Sequence, residues 1–140
     1  MSRGSKVDVL RGIPLFASCK DKELRDLSSL MTPLRVPAGE TLMREGEFGK
    51  EFLIVVSGTA TVTKRGVELA EIGPGSYLGE ISIIDGGRRT ATVVAKTAME
   101  VEIATHPEFA SLLSRAPEIA VRMLPALAAR IHELSEHSAD

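Results

Sequence analysis

Residues 77–93 read Tyr77–Leu78–Gly79–Glu80–Ile81–Ser82–Ile83–Ile84–Asp85–Gly86–Gly87–Arg88–Arg89–Thr90–Ala91–Thr92–Val93, and they gather the residue types that an anion needs. A glycine, an acid, four mostly apolar residues and then Asp85–Gly86–Gly87 predict one helical turn inserted between two strands. The first backbone N–H groups of such a turn, near Ile81 and Ser82, have no intrahelical partners, and a helix start of this kind attracts negative charge. Gly79 lets a ligand come close to the backbone. Arg89 leads directly into an apolar strand, so its guanidinium is held in place and can grip a phosphate with two parallel hydrogen bonds. Glu80 does not fit a bare phosphate, which would repel it. It fits a ligand that carries a hydroxyl donor next to the phosphate, and Arg89 offsets part of the local negative charge. Together these residues predict a ligand with a sugar hydroxyl and a phosphate close together.

No catalytic constellation accompanies this segment. Ser57 and Ser82 have no histidine neighbour in sequence, and His106, His132 and His137 all lie outside the strand-rich zone. A metal-dependent β-barrel enzyme would need histidine and carboxylate ligands converging inside the barrel. The single cysteine, Cys19, excludes an internal disulfide and a cysteine zinc site and reads as an inert, partly buried thiol. The expectation is therefore no enzyme, no metal and no cofactor.

Three zones position the segment. Residues 6–31 read as helical: Pro14 and Gly12 separate a short first helix from a second, Ser18 and Asp21 predict a capping box, and Leu24, Leu27, Leu30 and Met31 recur at helical spacing. Residues 33–104 read as strands and tight turns, with β-type runs at Phe52–Val56, Thr59–Thr63, Val67–Ile72, Thr90–Ala95 and Met99–Ile103. From Thr105 onward the pattern is helical again. Thr105, Pro107 and Glu108 form an N-terminal cap, a second helix opens at Pro117–Glu118, and Leu124, Leu127, Ile131 and Leu134 make an apolar stripe interrupted by a kink at Pro125. The expected fold is mainly β with flanking helices: an antiparallel β-roll or jelly roll (double-stranded β-helix), N-terminal helices and a C-terminal lid helix. The chain, 1–140, reads as a single domain.

Apolar residues make up 44% of the chain and charged residues 26%, with a net charge of −2 and acids and bases interleaved. That gives no basic face for nucleic acid. No run approaches the roughly 20 apolar residues of a membrane span, and Met1–Lys6 lack an apolar signal-peptide core. A cytoplasmic location is the expectation.

The cassette 79–92, with Pro37–Ala38–Gly39–Glu40, Glu45–Gly46, the strand ending Ser57–Gly58, Gly73–Pro74–Gly75 and the helix opening at Pro117–Glu118, resembles the cyclic-nucleotide-binding domains in order and spacing across nearly the whole chain. These domains occur in bacterial catabolite activator proteins, in regulatory subunits of cAMP-dependent kinase and in cyclic-nucleotide-gated channels. The resemblance implies that Glu80 takes the ribose 2′-hydroxyl. It implies that Arg89 takes the cyclic phosphate, aided by the backbone of Gly79, Ile81 and Ser82 and by the hydroxyl or amide of Thr90. Val62 and Leu69 match strand positions that flank the ribose or base. Arg130 matches a position reaching toward the Glu80 equivalent, and Leu134 one that caps the base.

Three departures qualify the match. Arg88 stands where most relatives carry proline, which loosens the turn; on its own it reads as a solvated surface charge. Leu134 cannot hydrogen-bond to a base, and Thr90 is of a type that contacts guanine in some relatives, so cAMP is the first expectation and cGMP the second. The sequence ends after the lid helix, so a separate effector protein is expected to read the signal, or a second copy meeting it through the C-terminal helix. A β-roll that no longer binds nucleotide and serves only as an interaction module is the rival reading.

Overall fold

A computed structural model describes residues 6–49, 51–79, 88–125 and 128. The order of elements is α1 (Lys6–Arg11), a 3-10 turn (Pro14–Phe16), α2 (Asp21–Leu30), β1 (Thr32–Val36), β2 (Thr41–Met43), β3 (Glu51–Ser57), β4 (Ala60–Lys64), β5 (Val67–Ile72), β6 (Tyr77–Leu78), β7 (Thr92–Ala95), β8 (Met99–Thr105) and α3 (His106–Arg115). Residues 117–125 are helical as well. Contacts divide the chain into a strand unit, Met31–Glu108, and a helical unit formed by the segments before and after it.

The strand unit holds two four-stranded antiparallel sheets, ordered β1-β8-β3-β6 and β2-β7-β4-β5. This is the expected antiparallel β-roll. Val36, Leu53, Val55, Ala60, Val93, Met99 and Val101 are drawn from both sheets into one buried cluster. β3 is buried on both faces, with Phe52 and Ile54 fully buried alongside Leu53 and Val55, so it reads as a continuous apolar run and not as an alternating one. β1 is an edge strand and accommodates Pro33, which has no N–H to give. β5 is the other kind of edge, exposed along nearly all its length. Its pairing with β4 slips between Val62/Ala70 and Thr63/Glu68, which leaves Leu69 as the extra residue of a bulge.

In the helical unit, Gly12 and the 3-10 turn at Pro14 end α1 as expected. The start of α2 corrects the expectation. Ala17 N–H bonds to the Pro14 carbonyl and Cys19 N–H to the Phe16 carbonyl, so the turn carries the chain past Ser18 before the helix begins. Lys20 takes the cap position, and its backbone N–H donates to Glu23 Oε1 at 2.8 Å. Glu23 also pairs with Arg122 Nε at 2.9 Å. The α3 cap forms as expected: Thr105 N–H donates to Glu108 Oε1 at 2.9 Å and Glu108 N–H to Thr105 Oγ1 at 3.3 Å. A helix does open at 117, and it buries Ile119 and Met123 while exposing Val121 and Leu124. Leu127, Ile131 and the C-terminal part of the apolar stripe lie outside the described residues.

Candidate functional site

Gly79 follows β6, whose pairing with β3 sets Leu78 against Leu53. One further step of that register brings Gly79 to Phe52 and the neighbouring carbonyl of Glu51. Gly79 has φ +94°, and a Cβ there would run into the Glu51 carbonyl oxygen, lying also 2.8 Å from Arg89 Nη1 and 3.3 Å from Phe52 Cα. Only glycine satisfies both the backbone angle and the approach. Arg89 Nη2 donates to the same Glu51 carbonyl at 2.8 Å. The guanidinium is therefore laid directly over the bare Cα from which the predicted anion turn departs.

The backbone of Arg89 is fixed from a second direction. Its N–H donates to the Glu47 carbonyl at 2.7 Å, and its own carbonyl accepts from Gly46 N–H at 2.9 Å. Three residues on, Thr92 Oγ1 accepts from Glu45 N–H at 3.0 Å. The loop between β2 and β3 thus runs antiparallel to residues 88–92 and extends the β2–β7 pairing beyond its regular strands.

Arg88 is exposed, as expected, but it is not simply solvated. Its Nη1 donates to the Gly46 carbonyl at 2.6 Å and its guanidinium carbon lies 4.3 Å from the centre of the Phe48 ring. An open cleft of about 510 Å³ is lined by Leu42 and Met43 of β2, by Arg44, Gly46, Glu47 and Phe48, by Glu51, and by both arginines. Its size falls within the roughly 300–1,000 Å³ of small-molecule sites.

His106, at the start of α3, is coupled to this charge. Burial lowers its pKa, the positive charge of Arg89 lowers it further, and Glu51 acts in the opposite direction. Its Nε2 is buried with no hydrogen-bond partner among the described residues. Burial pushes the Cys19 thiol up, which keeps it protonated. Among the described residues, no cluster of three or more His, Cys, Asp or Glu side chains could hold a metal ion, and no helix is long and apolar enough to cross a membrane.

Of the residues singled out from sequence, Gly79 and Arg89 are brought together. Thr90 is exposed in the turn behind Arg89. Val62 is half-buried and packs against the core of the roll, while Leu69 sits on the β5 bulge with 59% of its surface exposed. Gly79, Val62 and Leu69 do not line the cleft beside Arg88 and Arg89. Glu80, Ile81, Ser82, Arg130 and Leu134 lie outside the described residues. Phe48, Glu51 and His106 were not anticipated as site residues; an aromatic side chain between Gly46 and Gly49 was the one local signal for the first.

Residues 33–116 match the family described as the cyclic nucleotide-binding domain. The chain belongs to that family. It is 33% identical over 112 residues to a cAMP-dependent protein kinase regulatory subunit of Aspergillus niger, covering 79% of this chain and 27% of that protein. It is 27% identical over 138 residues to a CRP-like cAMP-activated global transcriptional regulator of Mycobacterium tuberculosis, covering 95% of this chain and 62% of the regulator. The chain thus spans less than two thirds of the length of either relative. Among solved structures, the N-terminal domain of a transcriptional regulator from Streptomyces coelicolor A3(2) superposes with a TM-score of 0.81 at 33% identity, covering 92% of this chain and 96% of that one. The cyclic nucleotide-binding family is a regulatory, nucleotide-binding one, and its β-roll is the fold found here.

Proposed function

We propose that this domain binds a cyclic nucleotide, cAMP in preference to cGMP, and acts as a regulatory sensor without catalysing a reaction. The observation that carries this reading is the Arg89 guanidinium held against the bare backbone of Gly79, where the cassette begins. In this reading Arg89, with the amides of Ile81 and Ser82, takes the cyclic phosphate. Glu80 accepts a hydrogen bond from the ribose 2′-hydroxyl, Thr90 assists at the phosphate, and Val62 and Leu69 flank the sugar and base. Arg130 and Leu134 close over the ligand from the C-terminal helix. Bound ligand shifts the population toward a state in which that helix covers the base, and a separate effector or a second copy reads the change in the cytoplasm. Relatives with cAMP in their names, a kinase regulatory subunit and a transcriptional regulator, support cAMP as the first ligand to test. The rival, an interaction module insensitive to nucleotide, drew its support from Arg88 in place of proline. The bonds that tie Arg88 to Gly46 and Phe48 weaken that argument.

Thermal unfolding with cAMP, cGMP and 5′-AMP tests the reading. A ligand at 100 times its dissociation constant adds about 2.7 kcal/mol to stability, so the melting temperature rises by several degrees with cAMP. It rises less with cGMP and does not move with 5′-AMP, which lacks the cyclic diester. No shift with either cyclic nucleotide would favour the interaction module.

A further inference from the structure

We infer that Phe48 and Arg88 form a latch that holds the backbone of Arg89 in its binding position, so that Phe48 is a positioning residue for the ligand's phosphate although it lies on a different loop from the cassette. The inference rests on the reading that Arg89 takes that phosphate. Three observations carry it. The peptide of Arg89 is clamped by the 44–49 loop through two hydrogen bonds, 2.7 Å to the Glu47 carbonyl and 2.9 Å from Gly46 N–H. The preceding side chain, Arg88, folds back across that same loop, bonding the Gly46 carbonyl at 2.6 Å. Its guanidinium then stacks on Phe48, whose backbone also forms an antiparallel bridge with Arg88.

Phe48 is 58% exposed, a poor use of a large apolar ring unless something is gained from it. What it gains here is a flat surface for a guanidinium, the cation that stacks best on an aromatic face. The pair closes the loop over residues 88 and 89 where a proline would otherwise have stiffened the turn by restricting φ. With the latch open, the Arg88–Arg89 segment would lose the side-chain tie that Arg88 makes to the Gly46 carbonyl and to Phe48. The Arg89 guanidinium would then have to be ordered at the moment of binding, at a cost in affinity.

Calorimetric titration with cAMP of the wild type, Phe48→Ala, Phe48→Tyr, Arg88→Ala, Phe48→Ala/Arg88→Ala and Arg89→Ala tests the latch. Phe48→Ala should bind roughly twofold to fivefold more weakly, the range expected of one exposed cation–π contact. Phe48→Tyr, which keeps the ring, should bind within about twofold of the wild type. The double variant should be no weaker than the weaker of its two parents, because both changes open one latch. At about 1 M salt, where charges are screened beyond roughly 3 Å, the ratio of wild-type to Arg88→Ala affinity should persist, because the 2.6 Å bond to the Gly46 carbonyl lies within that distance and a direct pull of Arg88 on the ligand across solvent does not. The latch is overturned by wild-type affinity in Phe48→Ala, by additive losses in the double variant, or by an Arg88→Ala effect that salt abolishes. If Arg89→Ala itself binds cAMP as the wild type does, the underlying reading of the site fails and not merely the latch. Melting temperatures of the unliganded Phe48 and Arg88 variants should fall by no more than about 4 °C, since one exposed contact is all that is lost. A larger drop in Phe48→Ala with Phe48→Tyr unaffected in both stability and binding would assign the ring to folding and overturn the latch.

Discussion

Replacing Gly79 by alanine isolates the contact on which the site is built. The Cβ would enter a space already occupied by the Glu51 carbonyl oxygen, 2.8 Å from Arg89 Nη1, on a backbone with φ +94°. A non-glycine residue in so sparsely populated a conformation costs about 1–3 kcal/mol, and relief of the overlap adds about 1–3 kcal/mol more. The sum, centred near 4 kcal/mol, corresponds to a fall in melting temperature on the order of 10 °C. Gly58 offers a matched control. Its φ is +86°, and an added Cβ would run into the Ala98 carbonyl and lie 2.8 Å from Met99 Cα, but it is not among the residues that bring Arg89 to Gly79. Thermal melts of Gly79→Ala and Gly58→Ala should therefore show comparable losses of stability. Calorimetry below both melting temperatures should show that only Gly79→Ala loses cAMP affinity, by tenfold or more. A Gly79→Ala protein that melts within 2 °C of the wild type would refute the close approach. Equal affinity in the two variants would refute its role in binding.

Two further outcomes follow from charge. An anion seated on Arg89 relieves one of the two influences that lower the His106 pKa, so the imidazole pKa, followed by NMR, should rise when cAMP binds. Binding then takes up a proton, and cAMP affinity should strengthen as pH falls through the imidazole range and weaken above it; an unmoved His106 would contradict the coupling. Burial pushes the Glu23 carboxyl up, but the Lys20 N–H and Arg122 outweigh it and the net direction is down. A depressed carboxylate pKa contributes stability above its unfolded value that is lost as pH falls through the folded one. Glu23→Gln should accordingly lower the melting temperature at pH 7 and flatten its decline between about pH 5 and pH 3; parallel curves would show that the Glu23–Arg122 pair adds nothing.

Sequence patterning carried the elements that are determined locally. β5 spans the run Val67–Ile72 that its residues suggest, and the Thr105–Glu108 cap forms because donor and acceptor lie three residues apart. The two- and three-residue strands β6 and β2 were not legible, since what makes them strands is pairing with β3 and β7. The cap of α2 was misplaced because the bond that closes it uses the backbone of Lys20, whose side chain gives no capping signal. At the site, Gly79 and Arg89 were readable from chemistry, as a close approach and a phosphate grip. The meeting of Arg88 with the Gly46 loop, 42 positions away, was not; a long-range contact leaves no periodic trace in either segment. The exposure of Leu69 likewise follows from its place on β5, an edge strand exposed along nearly all its length, which its apolar character conceals.

The most direct measurement is calorimetric titration of the wild type and Arg89→Ala with cAMP. A charge-assisted hydrogen bond contributes about 1.5–3 kcal/mol, so loss of the guanidinium should weaken binding on the order of a hundredfold at roughly 1.4 kcal/mol per decade. The account predicts saturable binding by the wild type, one cAMP per chain, and that drop in the variant. Absence of binding by the wild type, or the same dissociation constant for both proteins, would contradict it.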